Sequence, residues 1–441
     1  MALVKESYSL RVKSVVRELV EHPDLSSQEV ALKLGISKTE LLRCYRSIQK
    51  DKELQRQVIN NSRYPRLTRE TSELLHSHSQ YLTEVLSGKR VFPLILEFHA
   101  GPACQCHCKF CFSRDYEYGE YNRAGTPLSL EQVTRIFKEC RENGVEEVWF
   151  SGGKEPFVNP LTPQYIKLAA GMGFRTRLYT NGVSLSPEAR EAALECYQIR
   201  ISVNGAKAET YNRVQFPKYS LTTANELFSR TLDNITELIK LRSKLGKTAR
   251  IGLSQILQPD NHDEMTEFTR LARHLGADSV HSRLEAMGMV RDFTPEEKAT
   301  VRRQIEELEC GDWGVEVDIR GVAEGEFDSK ASQFLPGLRQ SSVCRAGLLK
   351  RGLNPYGALY YCEFSSHPRF QLDSDHLRLG DATQESLDDI LRRQDRKYPA
   401  LCPLCQAHEY GLNITLERLE NDLIWGIPIE RQPYYVIQEK G

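Results

Sequence analysis

Gly101-Pro102-Ala103-Cys104-Gln105-Cys106-His107-Cys108-Lys109-Phe110-Cys111 sets four cysteines within eight positions, directly after a β-rich run, Phe92 to His99. Cys104, Cys108 and Cys111 are separated by three and then two residues. A loop of that spacing can wrap three thiolates around one face of a [4Fe-4S] cluster and leave the fourth iron open. Zinc is the competing reading, but zinc wants four closed ligands, and here three well-spaced thiols follow a strand that opens an α/β unit. Cys106 offers a second register, in which it replaces one ligand of the trio.

Downstream, short β-rich runs alternate with amphipathic stretches. Strands are expected at 92–99, 147–150, 174–180, 198–203, 250–257 and 279–284, with helices at 129–142, 161–171, 187–196, 222–244 and 262–275. Strand and helix alternating six times predicts an α/β fold with a parallel sheet, closed in part as an open (β/α)6 barrel. In such folds ligands sit at the carboxyl ends of the strands. The cysteine loop follows the first of those ends.

The cysteine spacing, with an aromatic immediately before the last cysteine, resembles the signature of the radical S-adenosylmethionine (SAM) superfamily. The resemblance implies that SAM chelates the open iron through its amino and carboxylate groups. It also implies reductive cleavage to a 5′-deoxyadenosyl radical that abstracts hydrogen from an unactivated carbon. Ser151-Gly152-Gly153-Lys154-Glu155-Pro156 follows the second strand and is similar to the glycine-rich motif that meets the SAM amino group. Gly152, Gly153 and Glu155 are therefore cofactor-binding candidates, and Lys154 departs from the usual small residue. Ile201-Ser202-Val203-Asn204-Gly205 looks like the fourth-strand segment whose side chains hydrogen-bond the ribose or methionine part, which nominates Ser202 and Asn204. Phe110 would stack near the adenine. Taken alone, Thr180-Asn181-Gly182 is a turn and Ser202 an ordinary strand residue.

A second set of cysteines lies near the C-terminus. Cys344 and Cys362 have 17 residues between them, and Cys402-Pro-Leu-Cys405 follows. This arrangement resembles the SPASM/twitch extension, in which four cysteines ligate an auxiliary [4Fe-4S] cluster. Gly357 is placed to allow a hairpin turn that returns Cys362 toward Cys344. Structural zinc stays open, since a closed four-thiolate site is its favoured geometry. A third possibility makes Cys362 a free thiol that donates a hydrogen atom. Cys44, Cys140, Cys196 and Cys310 read as small core hydrophobes.

At the N-terminus, Ser26 with Glu29 and Ser37 with Glu40 are two capping boxes, so short helices start near 27 and 38. Gly35 supplies the turn between them. Val30, Leu34, Leu41 and Ile48 can face one core, the plan of a helix-turn-helix or small winged-helix module. Residues 1–60 carry eleven basic and eight acidic side chains, a thin surplus for a reader of phosphates. A DNA-binding iron-sulfur sensor would need Lys38, Arg43 and Arg46 to contact phosphates or bases.

The whole chain of 441 residues has 59 basic and 60 acidic side chains, so no global field holds it on nucleic acid or an anionic membrane. No run reaches the ~20 apolar residues a membrane helix needs, and no signal-peptide plan opens the chain. Twelve cysteines without a secretory signal point to the cytoplasm and to metal chemistry instead of disulfides. The expected organisation is a helix-turn-helix-like module at 1–85, a radical SAM core at 90–290, a connecting region at 291–343 and a twitch/SPASM-like domain at 344–441. Peptide-modifying members of the superfamily often carry such a small module to grip a precursor's leader, by strand addition to a wing edge. The resemblance thus implies a ribosomally made precursor peptide, epimerised or oxidised, with a flavodoxin- or ferredoxin-type reductant. The alternative is a dehydrogenase, deoxygenase or epimerase of an amino sugar or aminocyclitol.

Overall fold

The computed structural model describes residues 2–22, 24–60, 77–111, 126–285, 289–319, 343–362, 377–393, 398–399 and 407–431. They divide into two compact units, one from Met1–Val91, Gln333–Ala346 and Tyr398–Gly441, the other from Phe92–Ser332 and Gly347–Lys397.

The second unit is built on one sheet. Its strands are β1 (Ile95–Phe98), β2 (Glu147–Phe150), β3 (Arg175–Thr180), β4 (Gln198–Ser202), β5 (Arg250–Leu257), β6 (Ser279–Leu284), β7 (Glu316–Asp318), β8 (Lys350–Leu353), β9 (Ala358–Tyr360) and β10 (Arg378–Asp381). Their order is β10-β9-β8-β1-β2-β3-β4-β5-β6-β7, parallel from β8 through β7 and antiparallel at β9 and β10. Helices 130–142, 162–171, 187–193, 208–215 with 221–244, 265–275 and 295–310 fill the crossovers between β1 and β7. The six expected strands are all present, as the inner part of a larger sheet.

Successive strand residues point to opposite faces, and here the two faces differ sharply. Leu96, Phe98, Val148, Phe150, Leu178, Ile199, Ile201, Ile251, Leu253 and Val280 lie under the helices and are fully buried. Phe137 of helix 130–142 meets Phe98 edge-on at 5.9 Å, and Tyr165 of helix 162–171 lies 5.6 Å from the same ring. Each such side chain contributes ~1.5–3 kcal/mol when buried, so a one-residue slip of register would expose a whole apolar row. The opposite, inner face carries Glu97, Trp149, Arg177, Tyr179, Arg200, Ser202, Ser254 and His281. Several of its polar groups are partnered: Arg177 Nε stands 3.0 Å from Glu147, Lys350 Nζ 3.2 Å from Glu97, and His281 Nδ1 3.3 Å from Asp318.

Two boundaries need correction. Residues expected as a connecting region include β7, which extends the sheet beyond β6. The domain expected at 344–441 divides, because β8 pairs with β1 and carries 347–397 into the sheet unit, while later residues join the N-terminal helices. Gly357, at φ +98°, does form the turn between β8 and β9.

In the helical unit, helices 2–21, 27–34, 38–50 and 52–60 share a core containing Val30, Leu41, Tyr45 and Ile48, and helices 79–86 and 407–424 belong to the same unit. Both capping boxes form as expected. Among the described residues of the module every regular element is a helix, and the residues between helices 52–60 and 79–86 that could form the expected wing lie in part outside the described residues. Lys38 is also committed, donating to the Trp425 carbonyl at 2.5 Å. Helix 407–424 anchors the module through Asp422, whose carboxylate accepts from the Ser27 backbone N–H at 2.7 Å and the Ser27 hydroxyl at 2.9 Å, at the first turn of helix 27–34.

Burial pushes the Asp422 carboxyl up to about 6, against the opposing pull of Ser27 and Arg418. A carboxyl whose folded pKa lies above its unfolded value favours the native state below the unfolded pKa, and that contribution is lost as pH rises through the folded one. We therefore expect the helical unit to lose stability between pH about 4 and about 6, by at most on the order of 3 kcal/mol for this shift. Asp422→Asn, which leaves Ser27 partners of similar shape, should flatten that part of the curve. Wild-type and variant Tm measured across the range check this, and parallel curves would count against it.

Candidate active site

The cysteine loop leaves the carboxyl end of β1 and is strapped down by backbone contacts. His107 N–H donates to the Gln215 carbonyl and Lys109 N–H to that of Val214, each at 3.0 Å, while Tyr219 Oη donates to the Gln105 carbonyl at 3.0 Å. Lys109 Nζ reaches Asp260 at 2.8 Å. At the loop's start the backbone of Glu155 comes so close that a Cβ on Gly101 would stand 2.0 Å from its carbonyl oxygen. Glycine is the residue that permits this approach.

The loop presents Cys104, Cys106, Cys108 and Cys111 half-buried and free of disulfides. The Cys106 thiol donates toward Cys104 and lowers its pKa, whereas burial, with both neighbouring sulfurs, pushes the Cys106 thiol well up. Asn181 Nδ2 also donates to Cys104 Sγ, at 3.7 Å. Among the described residues no three His, Cys, Asp or Glu side chains converge on a single ion position. A cubane takes its thiolates on separate irons, so it does not demand such convergence. The donor set of three accessible sulfurs on one loop therefore fits a cluster with one iron left for another ligand.

Beside the loop lies the turn after β2. Gly152 adopts φ +79°, is exposed, and a Cβ there would stand 1.9 Å from the His99 imidazole. A bare backbone is thus required where the expected SAM-facing segment runs. His99 is itself buried, 3.8 Å from Glu97 Oε1. Glu97 also accepts from Ser151 Oγ. Although burial pushes the Glu97 carboxyl upward, Lys350, His99 and Ser151 hold it down at about 2.

Glu155 has a different occupation from the one expected. Its buried carboxylate accepts from Thr180 Oγ1 at 2.6 Å, the Asn181 N–H at 2.7 Å and the Phe157 N–H at 3.2 Å. Burial nevertheless raises its pKa. The side chain ties the β2 turn to the end of β3. Asn204 is also engaged, donating to Gln215 Oε1 at 3.0 Å and accepting from the Ile256 N–H at 2.8 Å. Ser202 stands half-buried on the inner face, its hydroxyl 3.5 Å from that of Ser254, and Phe110 is half-buried on the loop. Gly153 follows Gly152 in the same turn.

Of the second cysteine set, Cys344 falls in the helical unit, where its N–H donates to the Pro399 carbonyl at 2.8 Å, and Cys362 in the sheet unit. Cys402 and Cys405 lie outside the described residues. Cys44, Cys140 and Cys196 are buried as expected, but Cys310 is exposed because it sits at the end of helix 295–310.

Sequence reasoning missed Gln215, Glu97, His99 and Lys350. Gln215 is fully buried, and its amide joins Asn204 to Cys106 Sγ, the latter at 3.6 Å. Glu97 and His99 carried a usable signal, an alternation of period two within an otherwise apolar strand.

No helix among the described residues is long and apolar enough to cross a membrane. Residues 99–272 match the Radical SAM superfamily. The mycofactocin maturase MftC of Mycobacterium ulcerans is 28% identical over 284 residues, covering 63% of this chain and 70% of that protein. The dTDP-4-amino-4,6-dideoxy-D-glucose ammonia-lyase of Streptomyces venezuelae is 24% identical over 186 residues, covering 42% and 36%. Among solved structures, Streptococcus suis SuiB bound to S-adenosylmethionine superimposes with a TM-score of 0.50 at 15% identity, covering 91% of this chain and 89% of that one. With its cysteine loop and glycine turn at the carboxyl ends of β1 and β2 in an open parallel barrel, the segment 99–272 is a radical SAM domain, of the superfamily of enzymes that use a [4Fe-4S] cluster and SAM.

Proposed function

We propose that this enzyme matures a ribosomally made precursor peptide by abstracting hydrogen from one of its residues. The observation that carries the reading is the likeness to a maturase across 63% of the chain, which extends beyond the 99–272 core. An inner face lined with paired polar groups, in a sheet left open at β7 and β10, supports a polar, extended substrate. The helical module would serve as the leader grip, through helix surfaces. Redox-sensitive thiols and a flavodoxin- or ferredoxin-type electron donor fit a cytoplasmic setting.

In this reading Cys104, Cys108 and Cys111 hold the cluster. Gly152 and Gly153 offer backbone to the SAM amino group, Ser202 and Asn204 face its ribose or methionine part, and Phe110 lies by the adenine. When bound, the cluster and SAM supply a 5′-deoxyadenosyl radical by reductive cleavage. The protein's task is positional: Glu155 fixes the loops, His99 backs the glycine turn, and the helix-covered sheet keeps stray donors away. Cys344, Cys362, Cys402 and Cys405 would be the ligands of an auxiliary [4Fe-4S] cluster, which would supply a one-electron acceptor. Used instead as a hydrogen donor, the Cys362 thiol would return hydrogen from the opposite face and give epimerisation. The likeness to a sugar ammonia-lyase favours a second reading, action on an amino sugar.

Single Cys104→Ala, Cys108→Ala and Cys111→Ala variants should each lose iron and sulfide and drop 5′-deoxyadenosine formation to background, while Cys106→Ala keeps its cluster. Iron counting and product chromatography after anaerobic reconstitution decide between the two cysteine registers. Gly152→Ala forces an alanine to φ +79°, costing about 1–2 kcal/mol, and drives its Cβ into His99. Affinity for SAM, measured by equilibrium binding, should fall about tenfold or more, with part recovered in the Gly152→Ala/His99→Ala double variant. Turnover of a candidate precursor in heavy water separates the reactions. Epimerisation adds about one mass unit per site, oxidation removes hydrogens, and an unchanged peptide beside a converted amino sugar overturns the peptide reading.

A further inference from the structure

We infer that Asn181, through its Nδ2–H···Sγ contact with Cys104, sets the reduction potential of the cluster held by the first cysteine loop. The inference rests on the reading of Cys104 as a cluster ligand. Its geometric basis is the orientation of the amide. Asn181 Oδ1 accepts from the Val183 backbone N–H at 3.0 Å, a group that can only donate, so Oδ1 must face Val183 and Nδ2 must face the sulfur at 3.7 Å. Gln105 Nε2 donates to the same oxygen at 3.1 Å and reinforces the assignment. The residue cannot easily drift, since its own N–H is held by the buried Glu155 carboxylate at 2.7 Å.

A donor aimed at a ligating thiolate stabilises negative charge on that sulfur. The reduced cluster carries one electron more than the oxidised one, so the donor favours the reduced form and raises the potential. Asn181 is thus a positioning and tuning residue, outside any direct contact with substrate.

Asn181→Asp keeps the acceptor for Val183 and the side-chain shape but replaces the donor with a carboxylate oxygen. In the reconstituted full-length enzyme, an electron paramagnetic resonance titration should find reduction about tenfold harder, a midpoint about 59 mV more negative for one electron. Iron and sulfide per chain should stay at wild-type level. If the aspartate variant fails to load, Asn181→Ser carries the same expectation, because its hydroxyl can still cap Val183 yet is too short to reach the sulfur. A fully loaded variant with the wild-type midpoint overturns the inference and leaves the cluster assignment standing. Wild-type protein that binds no [4Fe-4S] cluster overturns both.

Discussion

One buried carboxylate organises the candidate site. Glu155 takes hydrogen bonds from the Thr180 hydroxyl and from the Asn181 and Phe157 amides, while its own N–H donates to the Ala103 carbonyl at 3.0 Å. It therefore joins three loops that emerge from the carboxyl ends of β1, β2 and β3. Burial opposes the charge and raises the pKa, but hydrogen bonds to a charged acceptor contribute about 1.5–3 kcal/mol each. Removing the side chain would strand those donors where water cannot reach them. Much of the local geometry, including the aim of Asn181 at Cys104, follows from this one group.

A second constraint is the segregation of the two sheet faces. The helix-covered face is apolar, so its packing fixes register; the inner face then receives every alternate residue whatever its polarity. Charges there meet partners: Glu147 for Arg177, Lys350 for Glu97 and the Tyr179 ring for Arg200. Lys350 comes from β8, a strand remote in sequence that lies beside β1. The auxiliary segment thus completes the electrostatics of the barrel wall as well as its hydrogen bonding.

The six inner strands were legible because long apolar alternation and intervening amphipathic helices leave little choice of class. β7 to β10 were not, since strands of three or four residues are too short to carry a periodic signal of their own, and no regular alternation with helices frames β8 to β10. Helix 208–215 escaped for the same reason, yet it supplies Gln215, whose amide links Asn204 to the cysteine loop. The capping boxes at Ser26 and Ser37 placed two helices correctly, and the same local signals could not tell whether a wing would follow. For the site, cysteine spacing and glycine position were visible in one dimension. The partners of Glu155 and Asn204 were not, because they are set by which strand ends become neighbours.

Lys154 gains a physical explanation from this arrangement. In a turn where Glu155 reached toward a bound amino group, a lysine immediately before it would compete for the same carboxylate. Here Glu155 faces inward and accepts hydrogen bonds from Thr180 and Asn181 at the β3 end. Lys154 remains half-exposed. On the proposed reading, recognition of the SAM amino group then falls to the backbone of Gly152 and Gly153, where a bare carbonyl is available because His99 leaves no room for a side chain. On the same proposal, specificity at that end of the cofactor would come from the shape of the turn, and that shape comes from its packing on a histidine that the sequence presents simply as the last residue of a strand.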